Sequence, residues 1–216
     1  MISTKKKVLA VSLVLVVIAI MSSGSLAWFN AKDQVTNTFK IATDDNGDID
    51  FSIDLFETDE NGDKTDDGLT FEDLLPGSVC DKDPTIKNTG DYNMYARVKV
   101  TVSNATALKA AFAKYGITDL STVFGGYDDS KWTRGEIIEN ADDDTLTYVY
   151  YCNDVLAPDD EATLFTTVTI PGEFVQEDCE GFTEFSLDIA AEAIQSDELP
   201  DSVTDAQSAF STCWDY

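Results

Sequence analysis

Apolar residues recur at every second position along much of this chain, and that period limits its fold more than any other feature. Ile49, Phe51, Ile53 and Leu55 alternate with Asp50, Ser52 and Asp54. Ala96, Val98, Val100 and Val102 alternate with Arg97, Lys99 and Thr101. Successive side chains of a strand point to opposite faces, so these runs read as half-buried strands. Residues 35–41 follow the same rule, with Val35, Asn37, Phe39 and Ile41 on one face. Further extended runs are expected at 78–87, 132–138, 145–152 and 164–170, and through Phe185, Leu187, Ile189 and Ala191. In the run 145–152, Leu146, Tyr148 and Tyr150 share a face, which reads as sheet packing.

Turn signals separate the runs. They include Asp44-Asp45-Asn46-Gly47-Asp48, Asp59-Glu60-Asn61-Gly62-Asp63, Pro76-Gly77, Asn88-Thr89-Gly90-Asp91, Asp142-Asp143-Asp144 and Pro171-Gly172. Asn-Gly pairs accept the positive φ that tight turns need. The period changes once in mid-chain, where Leu108, Ala111, Phe112 and Tyr115 fall at helical spacing. Ser103 or Asn104 would cap that helix and Gly116 would end it. After Pro200, Ser202-Val203-Thr204-Asp205 has the form of a capping box, followed by Ala206 and Phe210. Strands without βαβ alternation predict a mainly β fold, a jelly-roll-like antiparallel β-sandwich with one inserted short helix and a C-terminal short helix. The sandwich would occupy residues 28–199, including an N-terminal strand at 28–41, with a helical tail at 200–216.

The first 27 residues are expected to be an export signal. Lys5, Lys6 and Lys7 precede an apolar run from Val8 to Met21, broken only by Ser12. That run suits secretion and is short for a bilayer span. Ser25 and Ala27 place small residues where a signal peptidase reads, so cleavage is expected between Ala27 and Trp28. The alternative is an uncleaved N-terminal anchor.

The chain carries 41 acidic residues against 14 basic ones, a net charge of −27, and loss of the three leader lysines makes it more acidic still. Such a chain repels nucleic acid and anionic membrane surfaces. Its 43% hydrophobic content supplies a core and argues against an acidic disordered chain. With the export signal, this charge fits a secreted protein, soluble outside the cell, a partner for cations or a surface that resists nonspecific association, with no stable membrane insertion after cleavage. Cys80, Cys152, Cys179 and Cys213 permit two disulfides in an oxidising compartment, with three possible pairings. Cys152–Cys179 is favoured because the two flank a strand and its exit loops. Four free thiols are the alternative.

Several short blocks resemble one family. The small-residue stretch ending in Ala27, the aromatic Trp28-Phe29-Asn30 and the Asn37-Thr38-Phe39 strand resemble the start of the exported TasA/camelysin-like proteins of Gram-positive bacteria. These depend on a SipW-type signal peptidase. Here Lys32 intervenes before Asp33, and Ala42 stands where that family commonly has Gly. The blocks around Pro76-Gly77 and Tyr95-Ala96-Arg97-Val98, the run Leu164–Pro171 and the closing Ala191-Glu192-Ala193-Ile194-Gln195 are also similar to it. The resemblance implies a SipW-type peptidase as export partner, self-association into fibres of a biofilm matrix, and donor-strand exchange by the freed N-terminal strand. Val35, Phe39 and Ile41 would be its anchors. The alternatives are that this strand folds back onto its own domain, or that the protein is a monomeric extracellular adhesin or binding module.

Two acidic turns invite a calcium reading through Asp44, Asn46 and Asp48, and through Asp59, Asn61 and Asp63. Their spacing begins like a calcium loop. The continuation departs from one, with Ile49 and Lys64 where Gly belongs and Leu55 and Thr70 where Glu belongs. Solvated β-turns fit them better, and weak calcium is the only cofactor the sequence suggests. The chain contains no histidine. Histidine-ligated zinc, Ser-His-Asp triads and Cys-His nucleophiles are thereby excluded, and the camelysin type of metallopeptidase activity is not expected.

Overall fold

The computed structural model describes residues 30–34, 51–179 and 184–214. Within them the chain is mainly β. All its sheets are antiparallel, and they form a sandwich with few helices. The largest sheet orders its strands β1 (Asn30–Gln34), β12 (Leu187–Gln195), β6 (Met94–Val102), β9 (Thr145–Cys152) and β8 (Trp132–Asn140). A second sheet runs β10 (Glu161–Thr163), β5 (Thr85–Asn88), β2 (Ile53–Thr58), β3 (Lys64–Thr65). The third holds β4 (Val79–Asp81), β11 (Thr167–Thr169) and β7 (Phe124–Gly125).

The alternating residues behave as their period requires. Val98 and Val100 of β6, Tyr148 and Tyr150 of β9, and Ala191 of β12 enter one core with Ile53 and Leu55 of β2 and Ile86 of β5. Val168 of β11 and Phe124 of β7 join the same core, so the inward faces of all three sheets are buried together. Burial of this kind contributes about 25 cal/mol per Å² of apolar surface.

Of two long runs expected as single strands, one is broken and the other starts late, at matching points. Residues 78–87 divide into β4 and β5 around Lys82-Asp83-Pro84, and 164–170 follows a break after β10 at Leu164-Phe165-Thr166. β10 pairs with β5 in one sheet, and β11 pairs with β4 in another. The pair therefore crosses from sheet to sheet as a unit, the corner-forming device of packed sheets. Pro84 has no N–H to donate at the corner, and its carbonyl accepts from Leu164 N at 3.0 Å. Leu164 and Phe165 fill the bend and are fully buried.

The mid-chain helix α1 spans Ala105–Ala113 and presents Leu108, Ala111 and Phe112 to the core. Its cap differs from expectation. Asn104 lies at φ 51 and makes no side-chain cap. Ser103 Oγ instead accepts from Ser186 N. The helix is capped from the β8–β9 turn, where Asp144 Oδ1 accepts from Thr106 N at 2.9 Å and Asp144 O accepts from Ala105 N at 3.0 Å. Gly116, at φ 74, closes the far end as expected. A short helix α2 (Gln176–Cys179) is tied to α1 through Asp178, which accepts from Lys114 Nζ, Tyr115 Oη and Val175 N.

The C-terminal helix α3 spans Ala206–Cys213. Its capping box is Asp205 with Ser208, three residues beyond the box expected at Ser202. It lies on the outer face of the large sheet, where Ala206, Ala209 and Phe210 bury Val149, Tyr151 and Ile194. Charge lies beneath it. Arg97 of β6 donates to Glu192 of β12 through Nε at 2.7 Å, and Lys99 Nζ reaches the other carboxylate oxygen at 3.1 Å. The Arg97 guanidinium also sits 4.2 Å from the centre of the Phe210 ring and 5.3 Å from that of Trp214. Burial works against ionised Glu192, but Arg97 and Lys99 outweigh it and hold its carboxyl below the usual range.

Candidate functional site

The N-terminal strand is placed by backbone pairing. β1 forms one edge of the large sheet, in register from Asn30 opposite Ile194 to Gln34 opposite Ala190. The expected cleavage residues Ser25, Ala27 and Trp28, the expected strand anchors Val35, Phe39 and Ile41, and the first acidic turn with Asp44, Asn46 and Asp48 all lie outside the described residues. So does the expected start of the strand at Ile49; β2 begins at Ile53.

The second acidic turn is a self-contained hydrogen-bonded loop. Asp59 Oδ1 accepts from Asn61 N at 2.8 Å and from Asp63 N at 2.9 Å, and Asp59 Oδ2 accepts from Asn61 Nδ2 at 3.2 Å. The Asp63 N–H, then the Asn61 side chain, lower the Asp59 pKa. The carboxylate is thus engaged by its own turn, as in an Asx turn. Among the described residues no group of three or more acids or cysteines is gathered to hold a metal.

Cys80, Cys152 and Cys213 are free thiols, the first two buried. The expected Cys152–Cys179 pairing involves Cys179, whose side chain lies outside the described ones. Cys152 ends β9 with its side chain in the core, where burial pushes its thiol pKa up to about 11.

A cleft of about 450 Å³ opens between the β2–β3 end of one sheet and the β12 end of another. Leu55, Phe56, Leu187 and Ile189 supply apolar wall. Asp66, Asp67 and Asp188 are exposed acids on its lining. Glu57 and Lys82 complete it as a buried ion pair, with Lys82 Nζ 2.5 Å from Glu57 Oε1 and both side chains 9% exposed. The other oxygen, Glu57 Oε2, is buried and has no hydrogen-bond partner. Burying a carboxylate is costly, and the Lys82 ammonium on the same group offsets that cost. The pair is set by its neighbours: Asp83 Oδ1 and Oδ2 accept from Thr58 N and Oγ1, both at 2.7 Å, which pins the Lys82 corner to the end of β2.

The apolar wall residues Leu55, Leu187 and Ile189 were read from the sequence as strand positions, but the Glu57–Lys82 pair and the acids Asp66, Asp67 and Asp188 were not singled out. The signal was present in the alternation: Phe51, Ile53 and Leu55 put position 57 on the inward face, and an acid there requires a buried hydrogen-bond donor or cation. Lys82 shares phase with buried Cys80 across the corner.

Comparison with protein-family models, with curated proteins and with solved structures finds no match to the chain.

Proposed function

We propose that this chain is a secreted structural protein of the cell surface or biofilm matrix that assembles by exchange of its N-terminal strand. The observation that carries the reading is the position of β1. It is an edge strand, and it lies directly after the expected cleavage point. An edge strand can leave and be replaced by the same segment of another copy with its backbone pairing restored, so the exchange costs little once the strand is free. The resemblance to TasA/camelysin-like proteins supports the same reading, with a SipW-type peptidase as the releasing enzyme. No enzymatic role is proposed, since the histidine chemistry of hydrolases is missing from the chain.

The pairing of β1 with β12 of its own chain favours a second reading, a monomeric extracellular binding module. One experiment separates the two. Protein beginning at Trp28, a form lacking residues 28–41, and the variants Phe39→Asp and Thr38→Asp are followed by light scattering and electron microscopy. Strand exchange requires fibres from the first form and from Thr38→Asp, and none from the truncated form or Phe39→Asp. Equal polymerisation by the truncated form excludes it. Unfolding of a monomeric Phe39→Asp protein favours the binding module.

A further inference from the structure

We propose that the cleft between β2–β3 and β12 is the acceptor for residues 35–40 of a second copy, the segment that follows β1. The proposal rests on the strand-exchange reading and names the surface that receives the strand. It begins from the register of β1. Each residue forward in β1 meets one residue back in β12, from Asn30 opposite Ile194 to Gln34 opposite Ala190. Beyond that point β12 keeps β6 on one side, as far as Leu187 opposite Val102, and among the described residues no strand pairs with its other side. That same stretch, Leu187 to Ala190, forms one wall of the cleft, and Leu55 and Phe56 of β2 belong to the other. A segment that enters on the register of β1 therefore runs into the cleft. Its chemistry fits position by position. The continued register sets Val35 opposite Ile189, Asn37 opposite Leu187 and Phe39 opposite Phe185. Directly opposed residues share a face, and Ile189, Leu187 and Phe185 all belong to the core or pack against it. Val35 and Phe39 would thus meet the core, and Thr36 and Thr38 would lie beside exposed Asp188 and Ser186. Charge agrees. Lys32 stands opposite Glu192, and the same count sets Lys40 opposite Glu184. Opposite charges directly across a ladder stabilise it. Residues 28–41 hold two lysines and one aspartate in an otherwise strongly acidic chain, so this is the segment that an acidic second copy attracts, with Asp66 and Asp67 on the cleft lining.

The test is disulfide trapping between copies. Two variants of the chain beginning at Trp28, Thr36→Cys and Asp188→Cys, are mixed, left to assemble and oxidised, and peptide mapping by mass spectrometry identifies the linked positions. The Cα atoms of directly opposed residues lie about 4.5–5.5 Å apart, within reach of a disulfide. A link between position 36 of one copy and position 188 of another is expected. Thr36→Cys mixed with Asp129→Cys, just before β8 at the far edge of the large sheet, should give none. Adding Val35→Asp to the Thr36→Cys copy should lower the yield by about tenfold or more, since it brings an unpaired charge to the core side. Fibres that form without the 36–188 link overturn the proposal and leave strand exchange standing. Absence of both fibres and links between copies overturns the two together. A chain carrying both Thr36→Cys and Asp188→Cys that links within itself, while the mixed single variants do not link, means that the cleft takes its own segment, and this too overturns the proposal.

Discussion

Replacing Arg97 by methionine removes the guanidinium that joins the large sheet to helix α3. Arg97 is 8% exposed and Glu192 5%, so their ion pair is buried. Breaking a buried pair from one side costs about 3–5 kcal/mol, because the remaining charge is left in a poorly solvated site. Lys99, still 3.1 Å from the Glu192 carboxylate, moderates that cost. Loss of the cation–π contacts with Phe210 and Trp214 adds roughly 0.5–2 kcal/mol. A net destabilisation of about 3–5 kcal/mol is expected for Arg97→Met. The double variant Arg97→Met with Glu192→Met should recover most of it, since two apolar side chains in place of a buried pair are often neutral or stabilising. The assay is urea unfolding followed by tryptophan fluorescence, which reads buried Trp132 and also Trp214 beside Phe210. Acidity supplies a second axis. The folded-state pKa of Glu192 is depressed, so the stabilisation is fully present above its ordinary value of 4.5. It is lost as pH falls through the lower folded value, and the gap between wild type and Arg97→Met should close there. A single variant costing under about 1 kcal/mol, or a double variant as unstable as the single, would refute the reasoning.

Other outcomes follow from the same structure. Phe210→Ala should destabilise by about 3–5 kcal/mol in urea unfolding, since Phe210 is 1% exposed and is the main apolar contact of α3. Gly126→Ala should cost roughly 1–2 kcal/mol or more in thermal unfolding, because Gly126 lies at φ +73 and a Cβ there would meet the Thr166 hydroxyl. The Lys114 ammonium, then the Tyr115 hydroxyl and the Val175 N–H, hold the Asp178 pKa down at about 2. The α1–α2 tie should therefore persist through the usual carboxylate range and loosen only as pH falls through about 2, read as hydrogen exchange of the Val175 amide. Among Cys80, Cys152 and Cys213, a thiol reagent on native protein should label Cys213 first, since it is the least buried, and Cys152 should stay protected until unfolding.

The period-two runs of the sequence determined that this chain is a mainly β sandwich and which residues enter its core. The alternation through Ile53–Leu55, Ala96–Val102 and Leu146–Cys152 reads directly onto the buried faces, because side-chain direction along a strand is a local property. The helical spacing from Leu108 to Phe112 located α1 for the same reason. Only the tertiary structure decided where strands change sheet, what caps α1, and which charges meet. The corner at Pro84 depends on the matching bend at Leu164–Thr166. The α1 cap comes from Asp144, 38 residues away. Glu57 finds Lys82 across 25 residues, and Arg97 finds Glu192 across 95. A buried acid announces in sequence that it needs a donor, but pairing and sheet choice are won by long-range packing. Which cation arrives, and which oxygen is left without one, is fixed only when the sheets close.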